Sequence, residues 1–335
     1  MNVANRTAGK HLAFPTKDKD GRALVAVVVK YTYRSTPRGG VERDEDGAPP
    51  HPIDVPNGED PATSSIKVPS DMFEYKPGTD VVVVADAHPR AGATYTDVAL
   101  QVGPIAKTIR AHGLRVWQRG MLGGLVPGPA LPLRAPLPIV YENAWGGQDV
   151  SIPDKPLGEP RNYAGRGITR EPARLVDQPA AQLELAGKPL GERAGANVPA
   201  SFGPIHRHWA PRASFAGTYD KAWQESRMPL LPADFDPRFN VCVPHDQWSE
   251  VPLFGDEPIA LTGATEDHHW QVQLPRETLT FSSLVGGVRR EHRTHLDTIL
   301  IDARERKIEL TWRAAVPAPP KLELLDEIRI EARAR

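Results

Sequence analysis

Cysteine is almost missing from this chain: Cys242 is the single one in 335 residues. No internal disulfide framework is possible, a composition that suits a reducing compartment. An excess of either charge is missing as well. The 41 Lys and Arg against 42 Asp and Glu leave a formal net charge of −1. No global field therefore recruits nucleic acid or an anionic membrane. Long apolar runs are also lacking. The longest, "ALVAVVV" and "VVVVADA", fall far below the ~18 residues of a membrane helix. The first residues, "MNVANRTAGKHLAF", contain no apolar run of signal-peptide length. These absences lead us to expect a cytoplasmic protein with no membrane insertion and no nucleic-acid partner.

Catalytic signatures are scarce too. No GxxxxGK[ST] phosphate loop occurs, and "GMLGG" is not followed by a helical pattern. Without a GxSxG elbow, a hydrolase triad has no nucleophile of the usual kind.

What the chain has in abundance is proline and glycine, 35 and 28 residues. Pro removes a backbone donor and Gly weakens helix interiors, so long helices are excluded in favour of strands, turns and irregular crossings. The β-branched run over residues 23–33 predicts a buried strand. In "ATYTDVALQVG", Thr96, Val98, Leu100 and Val102 share one face. "IAKTIRAHG", "LRVWQRG" and "HHWQVQLP" predict further strands, and "LDTILIDARERKIELTWRA" reads as a hairpin turning at 304–307. The closing "EIRIEARAR" reads as an edge strand, with a short helix as the alternative. Strands about ten residues apart, each closed by Gly or Pro, exclude βαβ units.

The fold class expected is mainly β: antiparallel sheets, as a sandwich or open barrel-like, with a long ordered Pro/Gly-rich loop layer and little helix. Residues 1–119 form the N-terminal β-rich part, and 120–200 the loop layer. Residues 201–335 hold a motif-rich block and a C-terminal hairpin part, forming one compact unit with 1–119.

Several residues could carry chemistry, and each has a structural alternative. His206 and His208, two apart in "SFGPIHRHWAPR", would point to one face of an extended segment, as would suit half a zinc site. Arg207 and Arg212 beside them would oppose a dication. His268 and His269 form a second candidate pair. Cys242, with His245 three residues on, suggests a thiol nucleophile or, alternatively, a small buried strand residue. Asp234 and Asp236 could be a general acid/base pair, or could cap turns and pair with arginine. Trp145, Trp209, Phe215, Tyr219, Trp223, Phe235, Phe239 and Trp248 could line a glycan cleft, or could anchor irregular chain to the sheets.

In order, the blocks "DGRALVAVVVKYTY", "SSIKVPSDMFEYKPGTDVVV", "PLPIVYENAWGG", "EPRNYAGRGI", "FGPIHRHWAPRASFAGTYDKAWQESRMPLLPADFDPRF" and "HLDTILIDARERKIELTWRA" resemble a bacterial family long catalogued as a domain of unknown function. That family is found in type VI secretion gene clusters. The likeness spans residues 14–314 and is most specific over 202–239. It implies an adaptor chaperone that binds a cognate toxin effector and helps load it onto the secretion spike protein or its tip. It implies no catalytic, cofactor-binding or metal-binding residue, and leaves the partner-binding surface open. The signature is then an architectural corner anchored by Trp209, with His206, Arg207, His208 and Arg212 satisfying carbonyls and carboxylates. The alternative is a metal-dependent or glycan-active hydrolase using the His, Asp and Trp residues between 200 and 250.

Overall fold

Side-chain parity in one strand decides where the core lies. In the computed structural model, which describes residues 2–36, 40–61, 63–319 and 321–333, Ala23–Ser35 is an unbroken strand. Val25, Val27, Val29, Tyr31 and Tyr33 point into the main core. Lys30 and Thr32 point the other way and are buried too. A strand buried on both faces needs cover on both sides.

This strand pairs antiparallel with Lys10–Lys17 on one side and Lys307–Pro317 on the other. Lys307–Pro317 forms the expected hairpin with His295–Asp302, which runs parallel to Thr79–Val84. Trp248–Ser249 and Val41–Arg43 complete a seven-stranded sheet. A second, antiparallel sheet has the order Leu183–Leu185, Ile105–His112, Tyr95–Val102, Pro258–Thr262, His269–Gln273. The third has the order Asn2–Asn5, Leu325–Ala332, Leu279–Val285, Val288–His292. All three contribute to one core, in which Val29 and Trp312 meet Leu100, Ile109 and Leu261, and Phe281, Ile328 and Ile330. The sheets stay open among the described residues, so the protein is mainly β without a closed barrel.

One strand departs from expectation. Leu325–Ala332, read as an edge, lies between two partners, because Asn2–Asn5 returns alongside it in parallel. Its alternation is real, but Leu325, Ile328 and Ile330 are all buried. Ala334 and Arg335 of the same stretch lie outside the described residues.

Between the strands of the second and third thirds, the described residues form 3-10 turns, two-residue bridges and a single α-helix, Lys221–Ser226. Aromatic pairs hold this layer. Trp117 meets Trp145 edge-on at 5.8 Å, and Tyr141 meets Trp209 edge-on at 5.4 Å. Apolar centres separate from the main core surround both pairs. Asp220 caps the helix by accepting from the Trp223 N–H at 2.8 Å, and the Trp223 indole donates to the Leu230 carbonyl at 2.8 Å.

Candidate functional site

The second face of the large sheet carries the polar residues of the matching blocks, and the irregular layer buries them. Strand alternation puts Lys30, Asp80, Glu309 and Arg313 on that face, with Asp297 and Thr298 beside the register shift in its hairpin. Lys30 pairs with Asp71 at 2.9 Å and Glu309 at 3.4 Å. Arg313 pairs with Asp297 at 2.7 Å and donates to the carbonyls of Asp71 and Phe73. Lys76 donates to Asp80 and to Thr298, both at 2.8 Å. Burial disfavours the Lys76 ammonium, yet Asp80 beside it holds its pKa above the ordinary lysine value.

Asp80 joins this face to the layer above it. Its Oδ2 accepts from the Cys242 N–H at 2.9 Å and from Sγ at 3.1 Å as well as from Lys76. Cys242 is thus a small buried residue, and burial pushes its thiol pKa up. His245 is not its partner; the imidazole stands edge-on to Trp248 at 6.0 Å. A buried thiol held protonated is a poor nucleophile. In native protein at pH 8, Cys242 should react with a disulfide reagent at least ten times more slowly than in urea. Equal rates would refute the burial.

The 201–248 segment clamps onto the large sheet through backbone and amide contacts. The Val83 N–H donates to the Phe202 carbonyl at 3.3 Å. Gln247, fully buried, donates to the carbonyls of Val81 and Phe202 and accepts from Lys107 at 2.7 Å. Lys107 also meets Asp246 at 3.0 Å, while burial lowers its pKa.

His206 and His208 do not lie on an extended strand. The chain turns here, with the Trp209 N–H on the His206 carbonyl at 2.9 Å, and the two rings sit 5.2 Å apart. Among the described residues neither imidazole satisfies a carbonyl, contrary to the architectural expectation. His206 Nδ1 accepts from the His208 N–H at 3.3 Å, and His208 is exposed. Burial, then the neighbouring His208, lowers the His206 pKa. Arg207 and Arg212 do act as expected. Arg207 pairs with Asp54 at 3.0 Å, and Arg212 donates to the Phe239 and Ile205 carbonyls.

The carboxylates fit their structural reading. Asp234 accepts from the Thr218 N–H and hydroxyl. Asp236 accepts from the Arg238 N–H at the start of the Pro237–Asn240 turn and pairs with its guanidinium. Among the aromatics, Trp145, Trp209 and Phe235 are buried, whereas Tyr219 is exposed. His268, at a left-handed φ of 55°, ends a turn, and His269 opens the edge strand of the second sheet. No three His, Cys, Asp or Glu side chains gather as cation ligands among the described residues.

The remaining blocks interlock in the same manner. "YENAWGG" and "RNYAGRGI" pair in parallel, Trp145 with Arg166 and Gly146 with Gly167. Asn162 donates to the carbonyls of Tyr141 and Trp145. Gly146, at φ +145°, has no room for a side chain, since a Cβ would lie 2.3 Å from the Asn162 carbonyl oxygen. Glu142 reaches Ser65 of the "SSIKVPSDM" block, accepting from its N–H and its hydroxyl, each at 2.7 Å.

Sequence reasoning did not single out Lys30, Lys76, Asp80, Asp297, Glu309 or Arg313. The available signal was a lone charge inside an apolar strand run for Lys30 and Asp80, and charges two and four residues apart in Lys307–Pro317 for Glu309 and Arg313; Lys76 lies outside the strands.

No curated protein and no solved structure matches the chain. A family model does, over residues 20–313, and its description is "uncharacterized protein conserved in bacteria (DUF2169)". With most of its length matched, this chain belongs to that family.

Proposed function

We propose that the protein is a cytoplasmic adaptor chaperone of a type VI secretion system, holding a cognate toxin effector for loading onto the spike or its tip. The system follows from the resemblance of the ordered blocks. A protein-binding role is supported by the hairpin formed by Trp117–Arg119 and Leu125–Pro127. Leu114, Val116, Met121, Leu122 and Leu131 on and beside it are all exposed. Concentrated exposed apolar side chains mark interaction surfaces rather than ordinary solvent faces.

The hairpin is fixed in place. Glu192 accepts from the Leu122 N–H at 2.7 Å and from the Gly124 N–H at 3.0 Å. Trp117 is buried against Trp145 underneath. Beside its base runs a groove of about 500 Å³ lined by Leu114, Leu131, Leu133 and Leu137. A preorganised apolar surface loses little entropy when a partner docks.

Co-expression with the toxin encoded beside it should give a stable complex, and toxin abundance should fall without the protein. Met121→Glu combined with Leu122→Glu should weaken that complex at least tenfold. Melting should be unchanged, because substitutions at exposed positions stay within about 0.5 kcal/mol. Unaltered toxin abundance and secretion after deletion would sink the reading.

A further inference from the structure

Arg212 is a buried cation without a counter-ion. The residue is 8% exposed, its Nε donates to the Phe239 carbonyl at 3.0 Å and its Nη1 to the Ile205 carbonyl at 2.7 Å. Among the described residues, Nη2 has no hydrogen bond and no carboxylate forms an ion pair with the guanidinium. The carboxylates whose fields reach it are Asp54 and Asp80. Both are engaged elsewhere, Asp54 by Arg207 and the Ser70 N–H, Asp80 by Lys76 and Cys242. Carbonyl dipoles satisfy two of the five guanidinium donors and the Phe239 ring faces the guanidinium carbon at 5.5 Å, but no carboxylate among the described residues touches it. Burying an unpaired charge is strongly unfavourable, so the site is electrostatically incomplete.

Arg212 lines a cleft of about 210 Å³ whose other walls include Phe73, Phe235 and Phe239, with Asn240 and Arg207 beside them. Glu74 and Asp54 also border it; Asp54 is taken by Arg207, and burial raises the Glu74 carboxyl pKa, while neither carboxylate forms an ion pair with Arg212 among the described residues. Apolar walls around a fixed cationic fork suit a ligand with one planar anionic end and an apolar body. We propose that this cleft binds a carboxylate carried on an aromatic or aliphatic body, anchored by Arg212. The carboxylate belongs either to a free small acid or to the C-terminus of a polypeptide. The assignment is independent of the adaptor reading.

Calorimetric titration of the full chain at low salt tests it. The probes are 3-phenylpropionate and its amide, and an N-acetylated tripeptide ending in Phe as the free acid and as the C-terminal amide. At least one acid should bind, with its amide on the order of tenfold weaker or worse, since charge-assisted bonds are lost. Binding of the small acid alone identifies a free acid as the ligand; binding of the peptide acid identifies a chain terminus. Equal affinity for acid and amide, equal affinity for inorganic phosphate, or no heat at millimolar ligand overturns the proposal. Arg212 also supports the fold, so the variant of choice is Met72→Trp, on the cleft wall at a position 42% exposed. It should melt like the wild type and bind the acid at least tenfold more weakly; undiminished binding would place the ligand elsewhere and refute this cleft.

Discussion

Asp80→Ala is expected to lower stability by about 3–5 kcal/mol, the usual effect of removing one member of a buried ion pair. For a chain of this size that corresponds to a melting temperature lower by roughly 6–15 °C. The substitution strands the Lys76 ammonium, which is 1% exposed, with Thr298 as its remaining hydrogen-bond partner. It also removes the acceptor of the Cys242 N–H and so loosens the 241–243 segment from the sheet. The unpaired charge is the larger effect, and a second substitution isolates it. Lys76→Met in the Asp80→Ala background should recover at least a third of the loss, because a thioether accepts burial that an ammonium does not. Lys76→Met alone should also destabilise, by leaving the Asp80 carboxylate uncompensated. Thermal melts of the four proteins close the cycle. If Asp80→Ala melts within 2 °C of wild type, the buried pairs do not hold the cover to the sheet.

How much of this was legible in the sequence follows from what each signal reports. The β-branched run over 23–33 reports a buried strand, and the apolar spacing over 296–314 a hairpin; both are present. Neither signal reports what lies on the far face. Lys30, Glu309 and Arg313 alternate with apolar residues as they would on a half-solvated sheet. Here a layer nearly devoid of regular secondary structure covers them, and charge pairing across that boundary, Lys30 with Asp71 and Asp80 with Lys76, adds to a small apolar cluster of Val82 and Leu300 with Val241 and Val243. Leu325–Ala332 was misplaced for a related reason. Its pattern gave the correct burial, but its second neighbour, Asn2–Asn5, comes from the opposite end of the chain and has no local signature. The 201–212 motif reads as a corner from the family resemblance, the residues alone leaving a metal site open as well. Which of its polar residues work was not legible, since the turn turns His208 outward while Arg212 goes in.

That corner sets the second large effect. Trp209 is 6% exposed and stands at the centre of a small apolar cluster with Tyr141, Ile205 and Ala164. Its ring meets Tyr141 edge-on at 5.4 Å and lies 5.9 Å from His206. The cluster is separate from the main core. Truncating a buried aromatic to alanine removes its transfer energy and leaves a cavity, together about 3–5 kcal/mol. Trp209→Ala should therefore melt well below wild type and give less soluble protein, while Trp209→Phe should retain the larger part of the stability. His208→Ala supplies the contrast within the same motif. Its imidazole is exposed, and its backbone N–H, which the substitution keeps, is the group that bonds His206. The expected change is below about 0.5 kcal/mol. The order matters more than either magnitude, because a corner built on the indole and a site built on the histidines predict opposite rankings. A Trp209→Ala protein as stable as wild type, beside a damaged His208→Ala, would reverse the assignment of this motif from architecture to chemistry.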